Sequence, residues 1–136
     1  MIIIDRPPNF EQIQAAFPKA VNPGVLFAYD GNIYNPSGIA VPPALVAHES
    51  MHLERQVKFG AQRWWDHYLV NPEFRYHEEL LAHAAEFRVQ RARGDRNLGA
   101  RLLLSTALRL VAPLYNYQPP VTLQQALEDL REEIGK

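Results

Sequence analysis

The sequence contains no cysteine, and this single absence excludes several kinds of chemistry. Disulfide bonds, thiolate nucleophiles, cysteine-bound zinc and iron–sulfur clusters all require a residue that the chain lacks. Any metal ion that this protein binds must therefore be held by histidine, carboxylate or carbonyl groups.

An excess of charge of one sign and long apolar runs are also lacking. Because 14 Lys and Arg residues face 15 Asp and Glu residues, nothing points to nucleic acid or an anionic lipid surface as a partner. No segment approaches the roughly 18 consecutive apolar residues of a membrane span. The first residues, Met1 to Asp5, do not resemble a signal peptide. We therefore expect a cytoplasmic protein without a membrane partner.

The 136 residues, 47% of them hydrophobic, are enough for a single domain over 1–136 with a buried core. The first third of the chain carries the β signals. Asp30-Gly31 between two short apolar runs is typical of a hairpin with a type I′ turn. The predicted elements here are a strand over Ile2 to Ile4, a helix over Phe10 to Phe17, and hairpin strands over Val25 to Tyr29 and Asn32 to Tyr34.

From Pro43 onward the apolar pattern is helical. The sequence predicts helices over 44–57, Pro72 to Arg93, about Asn97 to Val111, and a last helix that begins at the capping pair Thr122 and Gln125. The predicted fold class is α+β, with a small N-terminal β-hairpin or sheet and one helix, followed by a mainly helical body.

The residues with the clearest chemical potential are His48-Glu49-Ser50-Met51-His52, an H-E-x-x-H motif inside a predicted helix. Residues four apart share a helix face, so His48 and His52 can bind one metal ion. The motif is typical of zinc peptidases, in which zinc lowers the pKa of a bound water to about 7 and the Glu, here Glu49, accepts its proton. An accidental match in a purely structural helical protein is the simplest alternative.

A third metal ligand is needed, and the sequence offers several. The metzincin pattern is excluded because Arg55 and Lys58 stand where it requires Gly and His. On the second long helix, Tyr76, Glu79, His83 and Glu86 share one stripe that could face the first helix, and Glu79 is the ligand that this arrangement favours. Glu78 and His67 remain alternatives.

These motifs resemble those of the gluzincins, and in size the chain is closest to the minigluzincins. Gluzincin ligand helices, including those of ImmA/IrrE-type peptidases, commonly read Glu-x-x-Ala followed by Asp or Asn, and this chain has Glu79-Leu80-Leu81-Ala82-His83. The resemblance implies a zincin-like metallopeptidase with one Zn²⁺ on His48, His52 and Glu79, and Glu49 as general base. His83 replaces the Asp or Asn that orients a metal-binding histidine, so it is expected to make such a hydrogen bond or to approach the metal.

The resemblance also implies a peptide or protein substrate that adds as an extended strand to a sheet edge, with Asn32 to Asn35 as the expected edge. An ordinary hairpin that only completes the core is an equal alternative. A metal-binding scaffold or protein-interaction module with little or no peptidase activity is the alternative function.

Trp64 and Trp65 are expected to be packing residues. Four tyrosines, Tyr68, Tyr76, Tyr115 and Tyr117, are candidates to stabilise the oxyanion, and the sequence selects none of them.

Overall fold

The structure is a computed structural model that describes residues 1–94 and 99–136, and it has the predicted α+β fold. A three-stranded sheet has the order β1-β3-β2, with β3 parallel to β1 and antiparallel to β2. Asp30 and Gly31 have φ values of 45° and 85°, as a type I′ turn requires at both positions, so the predicted hairpin is confirmed. The strands are β1 (Ile2–Ile3), β2 (Phe27–Tyr29) and β3 (Asn32–Tyr34).

The expectation that Asn32 to Asn35 forms a sheet edge is wrong. β3 is the central strand, because Ile33 pairs with Ile2 on one side and with Ala28 on the other. The hairpin signal is local, whereas the pairing of β1 with β3 joins residues about 30 positions apart. A substrate strand therefore cannot be added to β3.

Within residues 1–94 and 99–136, the sheet is accompanied by six α-helices and by two short 3-10 helices at Pro18–Val21 and Pro113–Tyr115. The predicted helices are present with small shifts at their ends, although the predicted start of one at Asn97 lies outside the described residues. None of the helices within 1–94 and 99–136 is both long and apolar enough to cross a membrane. The helices are α1 (Phe10–Ala16), α2 (Pro43–Phe59), α3 (Ala61–Val70), α4 (Pro72–Arg93), α5 (Gly99–Leu110) and α6 (Leu123–Ile134).

Helix α3 was not predicted, and it matters for the site because it packs against both α2 and α4. Gly60 has a φ of 83°, which ends α2 and lets a new helix start at once. Along α3, Trp64, Trp65 and Tyr68 are buried on one side, which confirms that the two tryptophans are packing residues.

The core has two parts joined by α4, which contacts α2, α3, α5 and α6. Between the sheet, α1 and α3 lies an aromatic cluster that includes Phe10, Phe27 and Trp64. A smaller aliphatic cluster, including Leu80, Leu110 and Leu130, joins α4, α5 and α6. Packing on both sides fixes α4 against α2, and the candidate site lies between these two helices.

Candidate metal centre

The histidines of the H-E-x-x-H motif face Glu79 of α4. Nε2 of His52 lies 2.9 Å from Oε2 of Glu79, and Nε2 of His48 lies 3.3 Å from Oε1 of the same carboxylate. All three residues are buried, and each offers a ligand atom within 4.8 Å of the other two. The structure thus brings together the three residues that the sequence favoured as metal ligands.

The chemistry of this group suits a zinc ion. Two imidazole nitrogens and one carboxylate are a common donor set for zinc with an open fourth position. Oε1 of Glu79 is buried and accepts no well-oriented hydrogen bond among the described residues, although Nε2 of His48 lies 3.3 Å from it, so a bound cation would meet this oxygen better than His48 does. Burial alone would raise the pKa of Glu79, but the charges and hydrogen bonds of His52 and His48 hold it well below its usual value, so the group stays ionised.

His48 is held from its other side by a second carboxylate. Nδ1 of His48 lies 3.3 Å from Oε2 of Glu86, and Oε1 of Glu86 accepts a hydrogen bond of 3.1 Å from Nη2 of Arg109. Burial alone would lower the pKa of His48, but Glu79 and Glu86 outweigh it and raise the pKa to about 10. A carboxylate behind a ligating histidine fixes the orientation of the ring and its tautomer, which is the usual arrangement in metal sites.

His52 has no comparable polar support. Its Nδ1 is buried and has no hydrogen-bond partner among the described residues. Its ring instead packs against Trp64, at 5.1 Å between ring centroids, and against Tyr68 at 6.3 Å. Aromatic packing from α3 therefore orients His52, whereas a hydrogen bond orients His48.

His83 lies beside the same group, and with His48 and Glu86 it forms a second set of buried side chains close enough to share a metal ion, so its expected approach to the metal stays a prediction. Its Nδ1 lies 2.7 Å from the main-chain oxygen of Glu79, one turn earlier on α4, and its ring centroid is 4.6 Å from that of His48. Burial and the positive charge of His48 lower the pKa of His83 to about 4, so it is neutral and Nδ1 donates this hydrogen bond. The side chain that contacts Nδ1 of His48 is Glu86, not His83.

Glu49 lies beside the metal-binding group at a cavity of about 320 Å³, which is also lined by His48, His52 and Glu79. Its carboxylate makes no hydrogen bond to the residues that the structure describes, so it is free to contact a water in this space. Burial raises the pKa of Glu49, which makes it a stronger base than an exposed carboxylate. The remaining cavity wall is mainly apolar and comes from α1, the buried aromatic side of α3, the segment 24–28 and the segment 112–115.

Neither alternative third ligand lies beside the histidines. The Glu78 carboxylate accepts hydrogen bonds from Nε of Arg55, at 3.0 and 3.1 Å, and from Nε1 of Trp64 at 2.6 Å. His67 is exposed on α3 and its ring packs on Phe74. Glu78 therefore ties α2 and α3 to α4 from the far side of the helix.

Two of the four tyrosines are near the site. The Tyr68 hydroxyl donates a 2.9 Å hydrogen bond to Oε2 of Glu79, and Tyr115 lines the cavity with its ring 5.9 Å from that of His83. The other two are engaged elsewhere, because the Tyr76 hydroxyl donates to Asp129 and that of Tyr117 to the main-chain oxygen of Leu110.

Glu86 and Arg109 are the site residues to which the sequence analysis gave no role. Glu86 was recognisable in principle, because it is seven residues after Glu79 and shares its helix face. Arg109 had no such signal, because its position next to Glu86 depends on how α5 packs against α4.

Comparison with known proteins finds no match to any family model, curated protein or solved structure.

Proposed function

We propose that the protein is a zinc-dependent metallopeptidase of gluzincin type, in which His48, His52 and Glu79 hold one Zn²⁺. The observation that carries the proposal is the convergence of both histidine Nε2 atoms on one buried carboxylate, at 2.9 and 3.3 Å. A buried ion pair of one histidine with Glu79 would need only a single histidine, whereas two histidines one helical turn apart that share one carboxylate supply the three donors of a zinc site.

A bound zinc ion supplies Lewis acidity, which activates a water and polarises a carbonyl. Glu49 accepts the proton of the attacking water and later delivers it to the leaving amine. Its raised pKa makes Glu49 a stronger base toward the water, and the protonated carboxyl then holds that proton for the leaving amine. Glu86 keeps the His48 ring in position, and the Tyr68 hydroxyl does the same for Glu79.

The substrate is a peptide or protein segment that enters the cavity beside Glu49. It does not add to the outer side of β2 at Ala28, because the main-chain oxygen of this residue already accepts hydrogen bonds from Gln56 Nε2 and Trp65 Nε1. The apolar walls of the cavity favour substrate side chains over water, which also protects the reacting groups from bulk solvent.

The experiment combines two variants. Protein purified without added metal is analysed for zinc and tested for hydrolysis of a peptide library. We expect about one zinc ion per chain in the wild type, loss of the metal in His48→Ala, and loss of hydrolysis with zinc retained in Glu49→Gln. Absence of zinc from the wild type, or zinc binding unaffected by His48→Ala, contradicts the metal site.

The same variants separate the peptidase from a metal-binding scaffold. If the wild type binds zinc but cleaves no peptide, and Glu49→Gln retains every cellular effect of the wild type, the scaffold function is correct. If Glu49→Gln abolishes both hydrolysis and the cellular effect, the peptidase function is supported.

A further inference from the structure

The cavity wall contains one group that zinc-dependent hydrolysis does not itself require. Among the lining residues that the structure describes, Arg109 is the only lysine or arginine, and 42% of its side chain is exposed. It lines the cavity together with Glu86, which it contacts, and with apolar residues that include Leu45, Ala112 and Leu114. A partly exposed guanidinium in a mainly apolar wall is well suited to fix one anionic group of a ligand.

The guanidinium has unused hydrogen-bonding capacity. Nη2 donates to Oε1 of Glu86 at 3.1 Å and weakly to Thr106 Oγ1 at 3.4 Å, while Nη1 donates to Ser105 Oγ at 2.8 Å. Arginine has five N–H donors. The hydrogen on Nε and one on Nη1 therefore have no partner among the described residues, although a fully satisfied structural arginine would use them.

The single contact with Glu86 also pre-orients Arg109 without saturating it. The pair is joined through one oxygen and one nitrogen, not through the two parallel hydrogen bonds of a fork-shaped pair. Glu86 uses its other oxygen for His48, so it cannot turn to make a second bond to Arg109. An incoming carboxylate can thus bind Arg109 while the contact between Glu86 and His48 is kept.

We propose that Arg109 binds a carboxylate of the substrate, and that the preferred substrates are peptides that combine this carboxylate with a bulky apolar side chain in the cavity. The carboxylate can be the free C-terminus of a short peptide or an acidic side chain next to the apolar residue. This proposal rests on the proposed function for the reaction, but its binding part is independent of turnover.

The test compares three peptides with the same apolar residue, one with a free C-terminal carboxylate, one with a C-terminal amide, and one amide with an acidic side chain beside the apolar residue. For zinc-loaded wild type, kcat/KM should be at least about tenfold higher for one or both carboxylate peptides than for the neutral amide, as expected for a hydrogen bond to a charged group. Which of the two is preferred identifies the source of the carboxylate.

The decisive measurement is made in Arg109→Gln. It is the ratio of kcat/KM for a carboxylate peptide to kcat/KM for the neutral amide. Loss of the contact with Glu86 changes kcat/KM for all three peptides alike, so it cancels in the ratio, whereas loss of carboxylate binding brings the ratio close to one. Arg109→Lys, which keeps a charge beside Glu86, should give an intermediate ratio. Arg88→Gln is the matched control, because Arg88 lies on the exposed surface of α4 and donates only to the main-chain oxygen of Glu133.

Binding of the same peptides to zinc-loaded Glu49→Gln measures the preference without hydrolysis. If wild type cleaves no peptide but Glu49→Gln prefers the carboxylate peptides through Arg109, the peptidase proposal fails and this one survives. If wild type cleaves peptides but its ratio is near one, or is unchanged in Arg109→Gln, the carboxylate proposal is wrong and the peptidase proposal survives.

Discussion

His48 lies between two carboxylates, with Nδ1 at 3.3 Å from Oε2 of Glu86 and Nε2 at 3.3 Å from Oε1 of Glu79. The two acidic residues are two turns apart on the same face of α4. The Glu79 carboxylate therefore lies at Nε2, the nitrogen that would bind a metal, and the Glu86 carboxylate lies at Nδ1 on the other side of the ring. If His48, His52 and Glu79 hold a metal as proposed, this arrangement makes the metal affinity depend on Glu86 as well.

Replacing Glu86 by Gln should weaken zinc binding by about 10- to 100-fold once affinities are corrected for proton competition at His48, the usual cost of losing a carboxylate behind a ligating histidine. The amide is nearly the same size but carries no charge, so His48 loses basicity and its ring is held less firmly. The measurement is zinc affinity by competition with a chromophoric chelator.

Glu132→Gln is the matched control for this substitution. Glu132 is exposed on α6, away from the cavity, and its replacement should leave zinc affinity unchanged. Equal zinc affinity in Glu86→Gln and in wild type would show that the contact with His48 has no role in metal binding.

Zinc binding should release a proton from His48 and become tighter as the pH rises. In the metal-free protein the flanking carboxylates, opposed by burial, raise the pKa of His48 to about 10, so the ring is fully protonated at pH 7. A metal ion needs the lone pair on Nε2, so binding displaces that proton. Below the raised pKa, the apparent affinity should therefore increase about tenfold per pH unit.

Calorimetry in two buffers of different ionisation enthalpy measures this release directly. We expect about one proton released from His48 per zinc ion bound near neutral pH. In Glu86→Gln the pKa of His48 falls towards its usual value, so fewer protons should be released at the same pH. A zinc affinity that does not depend on pH between 6.5 and 9 would contradict the protonated state of His48.

The two adjacent glutamates of α4 should differ in their effect on zinc. Glu79→Gln removes the charged ligand and should abolish zinc binding, and it should also lower the free energy of unfolding because protonated His48 loses a buried partner. Glu78→Gln should leave zinc bound but lower the free energy of unfolding by about 1–3 kcal/mol, because the donors of partly buried Arg55 and buried Trp64 then face a neutral amide. Zinc analysis and urea unfolding of both variants test this contrast, and loss of zinc in Glu78→Gln would contradict it.

The three candidate metal ligands were predictable from the sequence, because each depends on residue spacing within a single helix. His48 and His52 are one turn apart on a helix that Pro43 and Gly60 delimit, and Glu79 shares a helix face with His83 and Glu86. Helical periodicity alone fixes which of these residues face the same way. The shared helix face favoured Glu79, and the resemblance to the Glu-x-x-Ala pattern of gluzincins separated it from Glu78, because Ala82 stands three residues after Glu79.

The surroundings of the site were not predictable, because they depend on contacts between distant elements. The role of Arg109 depends on the packing of α5 on α4, and the central position of β3 depends on its pairing with Ile2 and Ile3, about 30 residues earlier. Helix α3 was missed because its short aromatic run after Gly60 shows too few turns for a periodic pattern.

Removal of the Tyr68 hydroxyl should weaken both the fold and the metal site. In Tyr68→Phe, Oε2 of Glu79 loses a 2.9 Å hydrogen bond from Tyr68 but keeps its contact with His52, so the carboxylate is less constrained but not left unpaired. We expect a loss of about 1–2 kcal/mol in the free energy of unfolding of the metal-free protein, together with weaker zinc binding. Tyr29→Phe is the control, because its hydroxyl bonds to exposed Gln62 and its removal should cost less than about 0.5 kcal/mol. Urea unfolding with and without zinc measures both effects. If Tyr68→Phe matched Tyr29→Phe in stability and wild type in zinc affinity, the hydrogen bond from Tyr68 would have no part in positioning Glu79.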